Sequence, residues 1–207
     1  MIPAIPALPS YASGTSDVPL LGDTIGDNLD RTVAADPGRE ALVDVPSGRR
    51  WTYGEFRADV DALALGLLAE GVVKGDRVGI WAPNMAEWTV LQYATAKLGA
   101  ILVNINPSYR THELEYVLKQ AGISVLVAAR EFKTSDYAAM IEQVRGNCPE
   151  LRAVMLIGSA EWDALLETGR AGEPGLLVEK QAELSPDDPI NIQYTSGTTG
   201  FPKGATL

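Results

Sequence analysis

The chain has 207 residues, 46% of them hydrophobic and 21% charged, which is enough to enclose one sizeable core. Lys+Arg is 17 and Asp+Glu is 27, so the formal net charge is -10. That balance argues against nucleic acid or an anionic membrane as the main partner, because both call for a basic face, while a phosphate ligand stays compatible, since one lysine and a few backbone N–H groups can hold it. The single cysteine, Cys148, allows no intrachain disulfide and fits a cytoplasmic setting. The opening residues, MIPAIPALPS, lack the basic start and unbroken apolar stretch of a secretory signal. Their prolines oppose a helix, so residues 1–20 read as an extended Pro-rich arm. No apolar run approaches the length that spans a bilayer.

Beyond the arm, ALVDV and RRWTY flank the turn signal PSG and read as a hairpin. TYGEFRADVDALALGLLAEG then reads as a helix. Thr52 and Glu55 have capping-box spacing, and Phe56, Val60, Leu63, Leu67 and Leu68 make one apolar stripe. Gly71 is placed to stop it. DRVGIWA is a short apolar strand. Asn84 and Glu87 are spaced to cap the next helix, which Gly99 closes, and AILVNI is the following strand. Thr111 is the expected cap of HELEYVLKQAG, with Glu113 and Glu115 in the first turn, where the helix dipole favours acids. SVLVAA is a strand. Tyr137, Met140, Ile141 and Val144 mark a helix that ends at Gly146, and AVMLIG is a further strand. SPDDP is a turn, INIQYT a strand, and ATL the start of a returning strand. Apolar strands alternating with amphipathic helices predict an α/β fold over residues 21–207, a parallel sheet covered by helices on both faces.

The last two strands bracket YTSGTTGFPKG, Tyr194 to Gly204. Gly197, Gly200 and Gly204 permit backbone conformations and close approaches denied to other residues. Thr195, Ser196, Thr198 and Thr199 add hydroxyl donors, and Lys203 adds a positive charge. At roughly 4 Å from a phosphate oxygen such a charge is worth about 4 kcal/mol at an effective dielectric near 20. Pro202 stiffens the chain before it. These are the parts of a polyphosphate cradle. A Walker A loop requires Ser or Thr after the lysine, whereas Gly204 and Ala205 follow here, and a GxGxxG fingerprint is absent. Elsewhere the plain readings prevail. His112 is a solvated residue in a helix first turn, Cys148 a small helix-end residue, Asp187 and Asp188 turn acids, and Trp81 and Trp88 core aromatics. No catalytic residue and no metal ligand set is assigned.

The order T-S-G-T-T-G-x-P-K-G resembles the phosphate-binding loop of the adenylate-forming, or AMP-binding, enzymes: acyl-CoA synthetases, luciferases and peptide-synthetase adenylation domains. WTYGEF, GDRVGIWAPNMAEW, KLGAILVNINPSYRTHELEYVLKQAG and DDPINIQYTSGTTGFPKG are similar to further family landmarks, in the same order, from residue 24 onward. The wording stands nearest to bacterial medium-chain fatty acyl-CoA synthetases. The resemblance implies a partial AMP-binding domain, the N-terminal part of the family's large domain. It also implies an ATP-dependent ligase that makes an acyl-adenylate and then acyl-CoA, using ATP, Mg2+ and coenzyme A. Thr195, Ser196, Gly197, Thr198, Thr199, Gly200 and Lys203 would wrap the β- and γ-phosphates. Family members are more than twice this long. The adenine site, the magnesium-binding glutamate, the ribose-binding aspartate, the acyl pocket and the catalytic lysine are therefore expected beyond Leu207. This piece alone is expected to be inactive, with an open sheet edge at the returning strand. The alternatives are a non-catalytic truncated product or nucleotide-binding module and, within the ligases, an aryl-CoA ligase or a peptide-synthetase adenylation domain. In NPSYR, Tyr109 and Arg110 fit a landmark without an assigned chemistry.

Overall fold

The computed structural model describes residues 17–18, 21–195 and 202–207, so nearly all of the expected N-terminal arm lies outside the described residues. Helix α1 (Ile25–Ala35) starts where the Thr24 hydroxyl accepts a hydrogen bond from the Asp27 N–H, and it buries Leu29 and Val33. Strands β1 (Glu40–Asp44) and β2 (Arg49–Thr52) make the hairpin expected around PSG, with Gly48 turning the chain at φ 73°. Helix α2 (Tyr53–Ala69) carries the full Thr52–Glu55 capping box. Its buried surface is wider than the one expected stripe. Ala62, Ala64, Leu65 and Gly66 are inside as well, because α2 has neighbours on more than one flank.

Next come β3 (Arg77–Trp81), α3 (Ala86–Leu98), β4 (Ile101–Asn104), α4 (Thr111–Gln120) and β5 (Ile123–Ala128). Gly99 ends α3 in the left-handed region, as expected, but two caps differ from the sequence reading. Met85 is the residue before α3, and no side chain caps that helix. Asn84 lies one position too early and is exposed. Thr111 is the first residue of α4 rather than its cap. The cap position is Arg110, whose N–H donates to the Glu113 carboxylate at 3.1 Å. A short hairpin of β6 (Glu131–Phe132) and β7 (Ser135–Asp136) leads into α5 (Tyr137–Arg145). Then follow β8 (Ala153–Leu156), α6 (Ala160–Ala171), α7 (Pro174–Ala182), β9 (Asn191–Thr195) and β10 (Lys203–Thr206). Helices α1, α6 and α7 go beyond the sequence reading.

The main sheet has six strands in the order β10-β9-β4-β3-β5-β8. All neighbours run parallel except β10, which returns antiparallel to β9. The chain steps from β3 to β4, then crosses back over β3 to β5. With right-handed crossovers, that reversal puts α3 and α4 on opposite faces. The packing agrees: α4 lies against α5, while α3 lies against α1, α2 and α7, and α2 against α6. Between these layers Val78, Ile80, Leu102, Val103, Val125 and Leu126 are fully buried. The crossing of α2 and α6 is close because both helices present glycine. A Cβ on Gly169 would sit 1.7 Å from the Ala62 carbonyl oxygen, and one on Gly66 would sit 2.4 Å from that of Leu165. Three helices of this layer are also tied by charge. The Lys97 side chain is 2% exposed, and its Nζ reaches Asp30 on α1 at 2.8 Å and Asp61 on α2 at 2.7 Å.

Candidate functional site

Because β9 runs parallel to β4, Thr195 emerges at the carboxyl end of the sheet, where open α/β sheets take ligands. The chain re-enters at Lys203, which is the register partner of Thr195. The Thr195 hydroxyl donates to the Lys203 carbonyl oxygen at 3.4 Å, and both residues are exposed. The two ends of the quoted loop are thus fixed opposite each other, Thr195 on one strand and Lys203 on the other. Ser196, Gly197, Thr198, Thr199 and Gly200 fall outside the described residues. Gly204 pairs with Tyr194, and a Cβ there would meet Ile192 Cγ2 at 2.9 Å and Tyr194 Cζ at 3.3 Å. The space beside Ile192 Cγ2 and the Tyr194 ring, rather than an unusual φ, is what favours glycine at this position.

Helix α4 holds the base of this hairpin. Tyr194 Oη donates to Gln120 Oε1 at 2.7 Å, and Tyr116 Oη donates to the Pro202 carbonyl oxygen at 3.3 Å. Burial, with Tyr116 and Tyr109 nearby, pushes the Tyr194 phenol up to about 12, so it serves as a neutral donor. The NPSYR stretch, which carries no chemistry of its own in the sequence reading, has a structural task. Asn106 Oδ1 accepts the Ser108 N–H at 2.9 Å, an Asx turn that redirects the chain from β4 towards α4. The Asn106 carbonyl accepts Trp81 Nε1–H at 3.1 Å, and the Pro107 carbonyl accepts the Tyr137 hydroxyl at 2.5 Å. The Trp81 and Tyr137 rings stack with centroids 3.6 Å apart. Arg110 bonds the Ser135 hydroxyl. The Tyr109 phenol is raised by burial and then by Glu113. This turn therefore anchors the start of α4 to the core, and α4 in turn meets the loop.

The remaining candidates sit as the plain readings expect. Cys148 is buried, and burial raises its thiol, as does the nearby Glu115. His112 is exposed in the first turn of α4. Asp188 pairs with Lys74 at 2.7 Å and accepts the Ser185 N–H at 2.7 Å, contacts that hold its carboxyl below the usual range. Trp81 is fully buried, and Trp88 is half-buried against the core. Among the described residues no group of three or more His, Cys, Asp or Glu stands together to hold a metal ion. None of the helices searched there is long and apolar enough to cross a membrane. The supporting pair Tyr116 and Gln120 is not singled out by sequence reasoning. Its only signal is the i,i+4 spacing of two polar tips on one face of α4.

Comparison with known proteins carries the same pattern. The mitochondrial medium-chain acyl-CoA ligase ACSF2 of Danio rerio is 41% identical over 224 residues, covering 99% of this chain and 37% of the relative. The N-terminal domain of FACL13 from Mycobacterium tuberculosis superposes with a TM-score of 0.75 at 31% identity, covering 89% of this chain and 44% of that one. The anthranilate CoA ligase AuaEII, solved with anthranoyl-AMP, superposes with a TM-score of 0.76 at 28% identity, covering 92% of this chain and 34% of that one. The chain thus spans little more than a third of the length of the curated relative it matches. Residues 29–207 match the AMP-binding enzyme family, and the chain belongs to that family.

Proposed function

We propose that this chain is the N-terminal part of an ATP-dependent acyl-CoA synthetase, and that the loop from Thr195 to Lys203 holds the β- and γ-phosphates of ATP. The observation that carries the reading is the Thr195–Lys203 ladder pair. It sets Thr195 and Lys203 opposite each other, both exposed at the carboxyl end of the sheet. Ser196, Gly197, Thr198, Thr199 and Gly200 complete the cradle. A carboxylate oxygen attacks the α-phosphorus, and the bond to the β-phosphate oxygen breaks with its electron pair on pyrophosphate. Lys203 and the loop N–H groups stabilise that charge. The coenzyme A thiolate then attacks the acyl carbon, and AMP leaves. Among the described residues no cluster of three or more His, Cys, Asp or Glu stands together, so no magnesium ligand is assigned to them. A reducing cytoplasm suits the one buried thiol.

The identity to a medium-chain ligase supports a fatty acid as the acid substrate. The likeness to an anthranilate ligase supports an aryl acid as the second reading. Both are tested on the full-length protein by acid-dependent exchange of pyrophosphate into ATP, comparing octanoate with anthranilate. Lys203→Ala is expected to slow adenylate formation on the order of 10²-fold while sparing thioester formation from preformed adenylate. A wild-type protein without exchange, or equal slowing of both half-reactions, overturns the assignment.

A further inference from the structure

One helix touches both arms of the loop. On α4, Gln120 accepts from Tyr194, the residue before Thr195, and Tyr116 donates to Pro202, the residue before Lys203. The two α4 residues are one turn apart and share a face, so a single rigid body fixes where the loop leaves the sheet and where it returns. We propose that Tyr116 and Gln120 are positioning residues for the phosphate loop, an inference that rests on the phosphate-binding reading of that loop.

Four observations carry it. First, the Pro202 carbonyl and the Lys203 N–H share one peptide plane, so the Tyr116 hydrogen bond orients the plane from which Lys203 starts. Second, α4 is itself well held. Leu114, Val117 and Leu118 are buried, and the Arg110–Ser135 bond and the Glu113 cap fix its first turn. Third, Tyr194 and Pro202 flank the two ends of one antiparallel hairpin, β9 and β10, whose register puts Thr195 opposite Lys203, so two ties from a single helix bear on both of its arms. Fourth, the Tyr194 phenol stays protonated through the neutral range, so its bond to Gln120 persists under working conditions. Fixing both ends in advance lowers the ordering needed when phosphate binds and holds donors where charge develops.

The test is acid-dependent exchange of pyrophosphate into ATP by the full-length protein, in parallel with thioester formation from preformed acyl-adenylate. Tyr116→Phe, Gln120→Leu and Tyr194→Phe each keep the packed volume and remove one side of a hydrogen bond. Each is expected to raise the KM for ATP or lower the exchange rate by about twofold to tenfold. Thioester formation and Tm should stay near wild type. Gln120→Glu, which keeps an acceptor for Tyr194, should recover most of the loss. Gln120→Leu combined with Tyr194→Phe should be no worse than the poorer single variant. Variants that exchange at the wild-type rate, or that slow both half-reactions alike, overturn the positioning role. A wild-type protein that shows no exchange overturns the phosphate-loop reading itself, and this inference falls with it.

Discussion

Replacing Gly169 by alanine adds one methyl group at the tightest place in the fold. That methyl carbon would lie 1.7 Å from the Ala62 carbonyl oxygen, 2.7 Å from its carbonyl carbon and 2.8 Å from the Gly66 nitrogen. All three are backbone atoms of α2, so no side chain can rotate aside. Real Cβ atoms essentially never come within 3.0 Å of such an atom, so α6 must lift from α2 by more than an ångström. Lifting α6 loosens Trp162 and Leu165, both buried under it. Overpacking of this kind costs about 1–3 kcal/mol where side chains can adjust, and backbone on the far side puts this site at the upper end, about 3 kcal/mol. For a chain of this size that lowers Tm by roughly 6–12 °C. Circular dichroism during thermal or urea unfolding reads the change directly. Gly175→Ala is the control. Nothing lies within 4 Å of its would-be Cβ, and it sits in the first turn of α7, so alanine there should be neutral or stabilising by up to about 1 kcal/mol. A Gly169→Ala protein melting within about 2 °C of wild type would refute the backbone-on-backbone crossing of α2 and α6.

Two further expectations follow from buried polar groups. Lys97→Met keeps the apolar stem but leaves Asp30 and Asp61 facing each other without their shared cation. Both carboxylates are about a third exposed and can hydrate, so the cost is discounted from that of a fully buried pair to about 1–3 kcal/mol. Adding Asp30→Asn and Asp61→Asn should return part of it in urea melts, and a triple variant less stable than Lys97→Met would refute the charge argument. Burial pushes the phenols of Tyr137 and Tyr194 up to about 12, against about 10 in the unfolded chain. The folded state therefore keeps protons that the unfolded state loses. Their contribution is complete below about pH 10 and fades as pH rises towards about 12. Wild type should lose stability between pH 10 and 11.5 more steeply than a Tyr137→Phe/Tyr194→Phe variant, and parallel curves would count against the burial.

The legible parts of this chain were those in which one local pattern had one outcome. Thr52 and Glu55 capped a helix because both halves of the reciprocal bond lie within four residues. Gly71 and Gly99 ended helices because only glycine accepts the left-handed backbone there at no steric cost. The sheet direction followed from alternation, and the end of the sheet carrying the loop followed from β9 being parallel to its neighbour. Asn84 misled because a cap signal one residue out of phase looks the same in sequence. Helix α6 was not read from the sequence, although its Ser159 cap and the spacing of Trp162, Leu165 and Gly169 on its buried face fit a helix once α2 is laid against it. Lys97 was invisible as a buried cation because its partners lie 67 and 36 residues away. Gln120 and Tyr194 are likewise separated by 74 residues, and contacts at that range are set by topology rather than by local pattern.

The strand-loop-strand setting shifts how a phosphate would have to be held. Where a glycine-rich loop opens a helix, the helix N-terminus supplies both free N–H groups and a partial positive charge, and the helix axis fixes the direction of approach. Here the residue after Pro202 begins β10, whose neighbour runs antiparallel, and strand dipoles cancel rather than add. Neither the charge nor the direction can come from the element that follows the loop. The charge must then rest on Lys203, which makes its removal more damaging than loss of any one hydroxyl in the loop. The direction must come from a neighbour, and α4 is the helix whose side chains reach both arms. Among single changes outside the loop, those at Tyr116 and Gln120 should therefore weaken ATP use most for the least effect on folding. Gly204→Ala, whose added Cβ would crowd Ile192 Cγ2 at 2.9 Å, should instead lower stability and activity together.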